Sequence, residues 1–172
     1  MAIQFRPTVQ ADYPQICQLF PSPEEMYLIY PSGTFPMTTE QLQAIAQERI
    51  DLTSVAIDDR IVGFSNLYNY MPDQYAFIGN VVIHPEQRGQ GMGKALIAYM
   101  LDRCFTIHDL PEVRITVLNY NSRALLLYSS LDFTPYSIEE IAGLTGERVA
   151  FIHLSKNNPA IAGKSYASIS SN

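Results

Sequence analysis

The sequence predicts an α/β domain: one mixed sheet with helices on both of its faces. Three observations carry that reading. Strand-like and helix-like patterns alternate along the chain in the order β-α-α-β-β-β-α-β-α-β-β. One apolar run, Tyr75 to Ile83, is rich in aromatic and β-branched residues and short enough to be a buried strand; a glycine-dense turn after it opens directly onto a helix pattern. Length and composition fit one core, with 172 residues, 47% hydrophobic and 16% charged.

Taken in order, Ile3-Gln-Phe-Arg6 alternates as a half-buried strand and Pro7 closes it. Asp12 suits a helix cap, with Pro14 in the first turn and Ile16, Leu19 and Phe20 facing inward. From Pro21 to Pro36 four prolines stand among Met26, Tyr27, Leu28, Ile29, Tyr30 and Phe35. That segment reads either as a shaped loop covering a pocket or as a surface loop packed on its own side chains. Thr38-Thr-Glu-Gln41 fits a capping box, and Leu42, Ile45 and Ala46 give the helix face that follows, ending near Arg49. Thr53–Ile57 and Arg60–Asn69 are β-type runs joined by Asp58-Asp59, a two-residue hairpin signal. After the Tyr75–Ile83 strand, a helix with Met92, Ala95, Leu96, Tyr99 and Met100 on its apolar side runs to about Phe105. Glu112–Leu118 alternates as a strand, Arg123–Leu131 is a helix, and Phe133–Ile138 and Arg148–Leu154 are the closing strands. Residues 1–155 form the expected domain, and the polar, aperiodic stretch 156–172 reads as a frayed tail.

Composition excludes several function classes. A net charge of -6 and a pI near 4.9 argue against general nucleic-acid binding, which needs a basic surface. Neither a run of eighteen apolar residues nor a basic-then-apolar leader is seen, so neither a membrane span nor a secretory signal is expected. Cys17 and Cys104 both fall in apolar helical patterns and read as buried thiols, without a metal or redox spacing. A cytoplasmic protein is the default expectation.

The chemistry concentrates in Asn80-Val-Val-Ile-His-Pro-Glu-Gln-Arg-Gly-Gln-Gly-Met-Gly-Lys94. His84-Pro85 ends the strand, because proline has no N–H for the ladder. The turn Arg88-Gly89-Gln90-Gly91-Met92-Gly93 then leads into the helix. Glycines let the main chain come close to a ligand, and a helix N-terminus offers free amides and partial positive charge. Arg88 and Lys94 add formal charge at the two ends, and the whole reads as a pyrophosphate cradle. A P-loop is ruled out: closing that motif at Gly93-Lys94 would put its first glycine at Arg88 and its hydroxyl residue at Ala95. A dinucleotide fingerprint fits poorly, since His84 to Arg88 separate strand from turn and the glycine spacing differs. What remains, Arg88-x-x-Gly91-x-Gly93 after such a strand, resembles the acetyl-CoA-binding motif of the GNAT superfamily of N-acetyltransferases.

A second stretch carries the same resemblance. Asn119-Tyr-Asn121-Ser-Arg-Ala124-Leu-Leu-Leu127-Tyr128-Ser-Ser-Leu-Asp132-Phe133 is similar to that family's Asn-x-x-Ala-x-x-Leu-Tyr-x-x-x-Gly-Phe, with Asp132 in the glycine position. Aspartate tolerates left-handed backbone better than most residues, so the helix stop survives. The resemblance covers nearly all of residues 3 to 154 and implies a mostly antiparallel twisted sheet and acetyl-CoA as co-substrate. It also implies an amine acceptor, which is a polyamine or other small cation, an amino acid, or a protein amine, and sheet-edge homodimers. Glu24-Glu25 either attracts a cationic acceptor or is simply solvated. Asn121 and Tyr128 lie about two helical turns, or ~10.5 Å, apart on nearly one face. Asn121 would bond the pantetheine arm while Tyr128 reaches the sulfur. The expelled thiolate belongs to a thiol of pKa about 8.5, and a phenol of pKa near 10 can donate to it as general acid. The resemblance further implies that the main chain of Val81, Val82 and Ile83 bonds the acetyl and pantetheine groups. The family's usual glutamate bases fall on Phe77 and Thr116, which cannot serve. Asp73, Tyr75, His84, Glu139 and Glu140 are the spare candidates, and deprotonation through water and backbone carbonyls is the expectation. The competing reading is a non-catalytic acetyl-CoA sensor, which has no use for a proton donor at position 128.

Overall fold

The computed structural model describes residues 2–162. Seven strands form one sheet in the order β1-β2-β3-β4-β5-β7-β6. They are β1 (Ile3–Pro7), β2 (Ile50–Ile57), β3 (Arg60–Met71), β4 (Tyr75–Ile83), β5 (Glu112–Leu118), β6 (Thr134–Ala142) and β7 (Arg148–Asn157). Every neighbouring pair is antiparallel except β4 and β5. Parallel neighbours need a crossover rather than a hairpin, and the chain makes it through the glycine turn and α4 (Met92–Asp102).

Helices cover both faces, as expected. On one side α1 (Tyr13–Cys17), α2 (Pro23–Ile29) and α3 (Thr39–Glu48) bring Ile16, Met26, Leu42 and Ile45 against Phe64 and Val82 of the sheet. On the other, α4 and α5 (Ser122–Ser129) pack Leu96, Ile97, Met100 and Tyr128 against Leu67, Ile78, Val113 and Ile115. Burial of such aliphatic side chains, each worth roughly 1.5–3 kcal/mol, is the main force holding the layers together.

The structure moves several expected boundaries. The segment 21–36 is not all loop, because α2 lies within it. Ser22 caps the helix by accepting from the Glu25 amide at 3.2 Å, and Pro23 occupies its first turn. A proline there starts a helix, since the missing N–H had no intrahelical partner anyway. Asp12 precedes α1 without capping it; its carboxylate binds Arg6 instead, at 2.7 and 2.8 Å. The capping at Thr38 is present, with its hydroxyl accepting from the Gln41 amide at 3.3 Å. β2 starts at Ile50 rather than Thr53, through a kink at Asp51 with φ 51°. The regular part of α4 stops at Asp102, and one wider turn, Arg103–Ile107, continues to His108. β7 passes residue 155: it ends at Asn157, and buried Asn158 donates from its side chain to the Leu110 carbonyl at 3.2 Å. A short helix α6 (Pro159–Ala162) follows, and the rest of the expected tail, 163–172, lies outside the described residues. Cys17 is half-buried rather than buried. Cys104 is enclosed, and burial pushes its thiol up to about 12. Among the described residues no helix is long and apolar enough to cross a membrane.

One feature of the topology positions the site. β4 and β5 pair only from Tyr75↔Glu112 to Ile78↔Ile115. Beyond that point β4 follows β3 alone and β5 follows β7 alone, so the two strands part in the middle of the sheet. A bulge accompanies the parting: the three residues of β3 from Phe64 to Asn66 face the four from Gly79 to Val82, and Asn80 takes φ 50°. Bulges kink a strand and re-aim its groups.

Candidate active site

The glycine turn sits at the wide end of the parting. Gly89 and Gly91 have φ of 75° and 81°, left-handed conformations that glycine adopts without strain. A Cβ built on either would meet nothing within 4 Å, so open space lies beside the main chain, as a bound diphosphate requires. Ala95 is bonded back to the Gly91 carbonyl at 3.0 Å, which leaves Met92, Gly93 and Lys94 as first-turn amides without helical acceptors. The Met92 side chain is buried and anchors the helix start; the Lys94 side chain is exposed. Gln90 donates to the Glu86 carbonyl at 3.0 Å and closes the turn.

Arg88 is placed differently from the sequence expectation. Its Nε donates to the Ile83 carbonyl at 2.9 Å and its Nη2 pairs with Glu25 of α2. The guanidinium therefore braces the end of β4 against α2, and its charge is already matched. Glu25, still partly exposed, is correspondingly paired with Arg88 rather than a free acid. Strand alternation sorts the three β4 residues. The His84 amide donates to Val62 at 2.8 Å and Val82 faces Phe64, so main-chain groups of Val82 belong to the β3 ladder. Those of Val81 and Ile83 point the other way, toward the parting.

Across the gap stands α5. Asn121 caps it, accepting from the Ala124 amide at 3.2 Å through Oδ1, with its side-chain N–H groups left for other partners. Tyr128 is buried beside Phe133, ring centroids 6.0 Å apart. Burial raises its phenol well above the ordinary range, and the neighbouring Tyr68 phenol adds to the shift. Its proton is therefore held across all physiological pH. Asp132 closes the helix with φ 63°, while the Phe133 amide returns to the Tyr128 carbonyl at 3.1 Å. Aspartate thus does what glycine does in the family pattern.

The base candidates separate cleanly. Asp73 has φ 61° in the β3–β4 turn, Tyr75 stacks under Arg114 at 3.7 Å, and exposed Glu140 pairs with Arg148. His84 caps the turn after β4, accepting from the Glu86 amide at 3.3 Å. Glu139 alone connects inward, through a residue that sequence reasoning missed. His153 Nε2 lies 3.3 Å from Glu139 and its Nδ1 2.9 Å from the Thr116 hydroxyl. A carboxylate only accepts, so Nε2 donates to Glu139, while the Thr116 hydroxyl can pair with Nδ1 as donor or acceptor. Thr116, His153 and Glu139 thus form a chain of hydrogen bonds from the gap to solvent. No local signal marks His153, which sits in an ordinary strand pattern.

A sheet parted between two parallel strands, a glycine cradle at its mouth and a buried phenol on the far helix define an acetyltransferase domain. The chain belongs to the acetyltransferase (GNAT) family, whose model matches residues 14–133. Solved structures share the fold. A spermidine N-acetyltransferase variant from Vibrio cholerae has TM-score 0.74 and 21% identity, over 95% of this chain and 98% of that one. The smu.2055 protein of Streptococcus mutans UA159 has TM-score 0.76 and 22% identity, over 90% and 98%. An acetyltransferase of Salmonella typhimurium, solved with acetyl-CoA, has TM-score 0.72 and 14% identity, over 91% and 94%.

Proposed function

We propose that the chain moves the acetyl group of acetyl-CoA to a primary amine by direct attack in a ternary complex. The observation that carries this reading is the juxtaposition of the parted strands with Tyr128. Amides from Gly89 to Lys94 hold the diphosphate, and Lys94 adds charge at its edge. Asn121 and the main chain of Val81 and Ile83 orient the pantetheine arm and the acetyl carbonyl. The amine nitrogen forms its bond to the carbonyl carbon as the carbon–sulfur bond breaks. Tyr128 then gives its proton to the leaving sulfur. The surplus ammonium proton leaves through Thr116 and His153 toward Glu139, a route that takes the place of the missing glutamate at positions 77 and 116.

Tyr128→Phe tests the role directly. The ring and its packing stay, so the Kd of acetyl-CoA changes little, while kcat falls about 100-fold. An unchanged kcat would remove Tyr128 from the chemistry. Acetyl-CoA binding without transfer to any amine would make the protein a sensor.

A further inference from the structure

Arg49, between α3 and β2, is a half-buried cation whose counter-charge is missing. Its guanidinium lies between two phenol rings, 5.4 Å from the Tyr30 centroid and 4.7 Å from that of Tyr68. Nη1 donates to Asn66 Oδ1 at 3.0 Å and to Asn80 Oδ1 at 2.6 Å, both neutral amides. Arg6, Arg60, Arg88, Arg103, Arg114 and Arg148 each have a carboxylate within ion-pair distance. Among the described residues Arg49 has none. Water solvates the exposed Arg123, but the Arg49 environment is dry enough that burial lowers its pKa. A desolvated charge without a partner is costly and persists where something compensates it.

A second observation points to a ligand at the same place. Asn80 is 3% exposed, and its Nδ2 has no acceptor in the protein, although its Oδ1 takes both Arg49 and Asn66 Nδ2, the latter at 2.8 Å. The cluster therefore has one positive charge, a surplus of donors and no carboxylate within ion-pair distance, the exposed Glu48 next in the chain acting only from farther off. The backbone is arranged to deliver it. Asn80 holds φ 50° in the β4 bulge, and a Cβ on Gly79 would come within 2.8 Å of Arg49 Nη1. Tyr68 joins this cluster to the chemistry: its ring covers Arg49, and while burial raises its phenol, the nearby Thr116 hydroxyl and Arg49 pull the other way.

We propose that Arg49 and the free amide of Asn80 anchor a carboxylate of the acceptor, so that the amine acetylated belongs to an amino acid or similar amino-carboxylate. The inference rests on the acetyl-transfer reading. An acceptor held at Arg49 lies one tyrosine away from the hydrogen-bond chain that removes the amine's proton. A polyamine would bring positive charge against an unscreened guanidinium, an arrangement that selects against it.

Initial rates at saturating acetyl-CoA, with amino acids and the matching amino alcohols in which hydroxymethyl replaces the carboxylate, test the anchor. The wild type should show kcat/KM at least tenfold higher for the acids, mainly through KM, and Arg49→Gln should erase that ratio. Equal rates for acid and alcohol, or preference for spermidine, would overturn the anchor; so would an Arg49→Gln that slows both acceptors alike. If that variant does not fold, the wild-type ratio decides by itself. Calorimetry with acetyl-CoA separates the two readings. Binding with turnover but no preference for acids sinks only the anchor, whereas no turnover of any amine sinks the transfer reading beneath it.

Discussion

Two side chains show how burial and partners divide the ionisable groups of this protein. Tyr128 is raised by burial with nothing opposing it, so its proton is retained. A general acid must be protonated to act, and a raised pKa moves the alkaline loss of activity upward. The kcat profile should therefore show no Tyr128-dependent fall below about pH 10, the ordinary phenol value; a limb near pH 8 that disappears in Tyr128→Phe would contradict this. Asp12 is the opposite case. Burial works against its charge, but Arg6, the Val9 amide and Ser54 outweigh burial and hold the carboxyl below its usual range. Its folded pKa lies below the unfolded value of about 3.9, so its stabilisation is present above that value and is lost as pH falls through the folded one. Asp12→Asn should cost roughly 2–3 kcal/mol at pH 7. Urea melts should show the difference shrinking toward pH 3.

At the scale of elements, the cradle depends on backbone shape more than on side chains. Gly91 stands at φ 81° with free space where a Cβ would go. Gly91→Ala therefore clashes with nothing, and its penalty is conformational, about 1–2 kcal/mol. That strain is relieved by shifting the turn, which misplaces the amides of Met92 to Lys94. The expected result is a small drop in melting temperature and a KM for acetyl-CoA raised about tenfold, with the acceptor KM less affected. The wide turn after α4 has an equally local cause. It brings Arg103 and His108 onto Asp51, at 2.8 and 2.6 Å, and so ties the end of α4 to the kinked start of β2. The pattern of apolar residues continues through Phe105, which is why the sequence reads as a longer α-helix.

For the whole molecule, the proposed site would have acetyl-CoA touch β4, α4 and α5 at once, elements on either side of the sheet's parting. A ligand that binds only the folded state stabilises it by about 2.7 kcal/mol at 100 times its Kd, which for a domain of this size is a shift of several degrees. Acetyl-CoA and coenzyme A should both raise the melting temperature, while ATP and NAD leave it unchanged. Stabilisation by ATP would reinstate the nucleotide readings that the motif spacing excludes. The sequence by itself determined the strand Tyr75–Ile83, the glycine turn that opens α4, the helix α5 that carries Tyr128, and helices on both faces, because each is written in neighbouring residues. α2 was hidden because the prolines in and around it read as breakers, although Pro23 behind the Ser22 cap starts a helix. Only the tertiary structure decided that Arg88 braces Glu25, that His153 links Thr116 to Glu139, and that Arg49 meets Asn80 between two tyrosines. Those partners are 63, 37, 14 and 31 residues apart in the chain. Which side chains meet at such separations is set by strand register, a bulge and a parted sheet, and local periodicity carries none of that information.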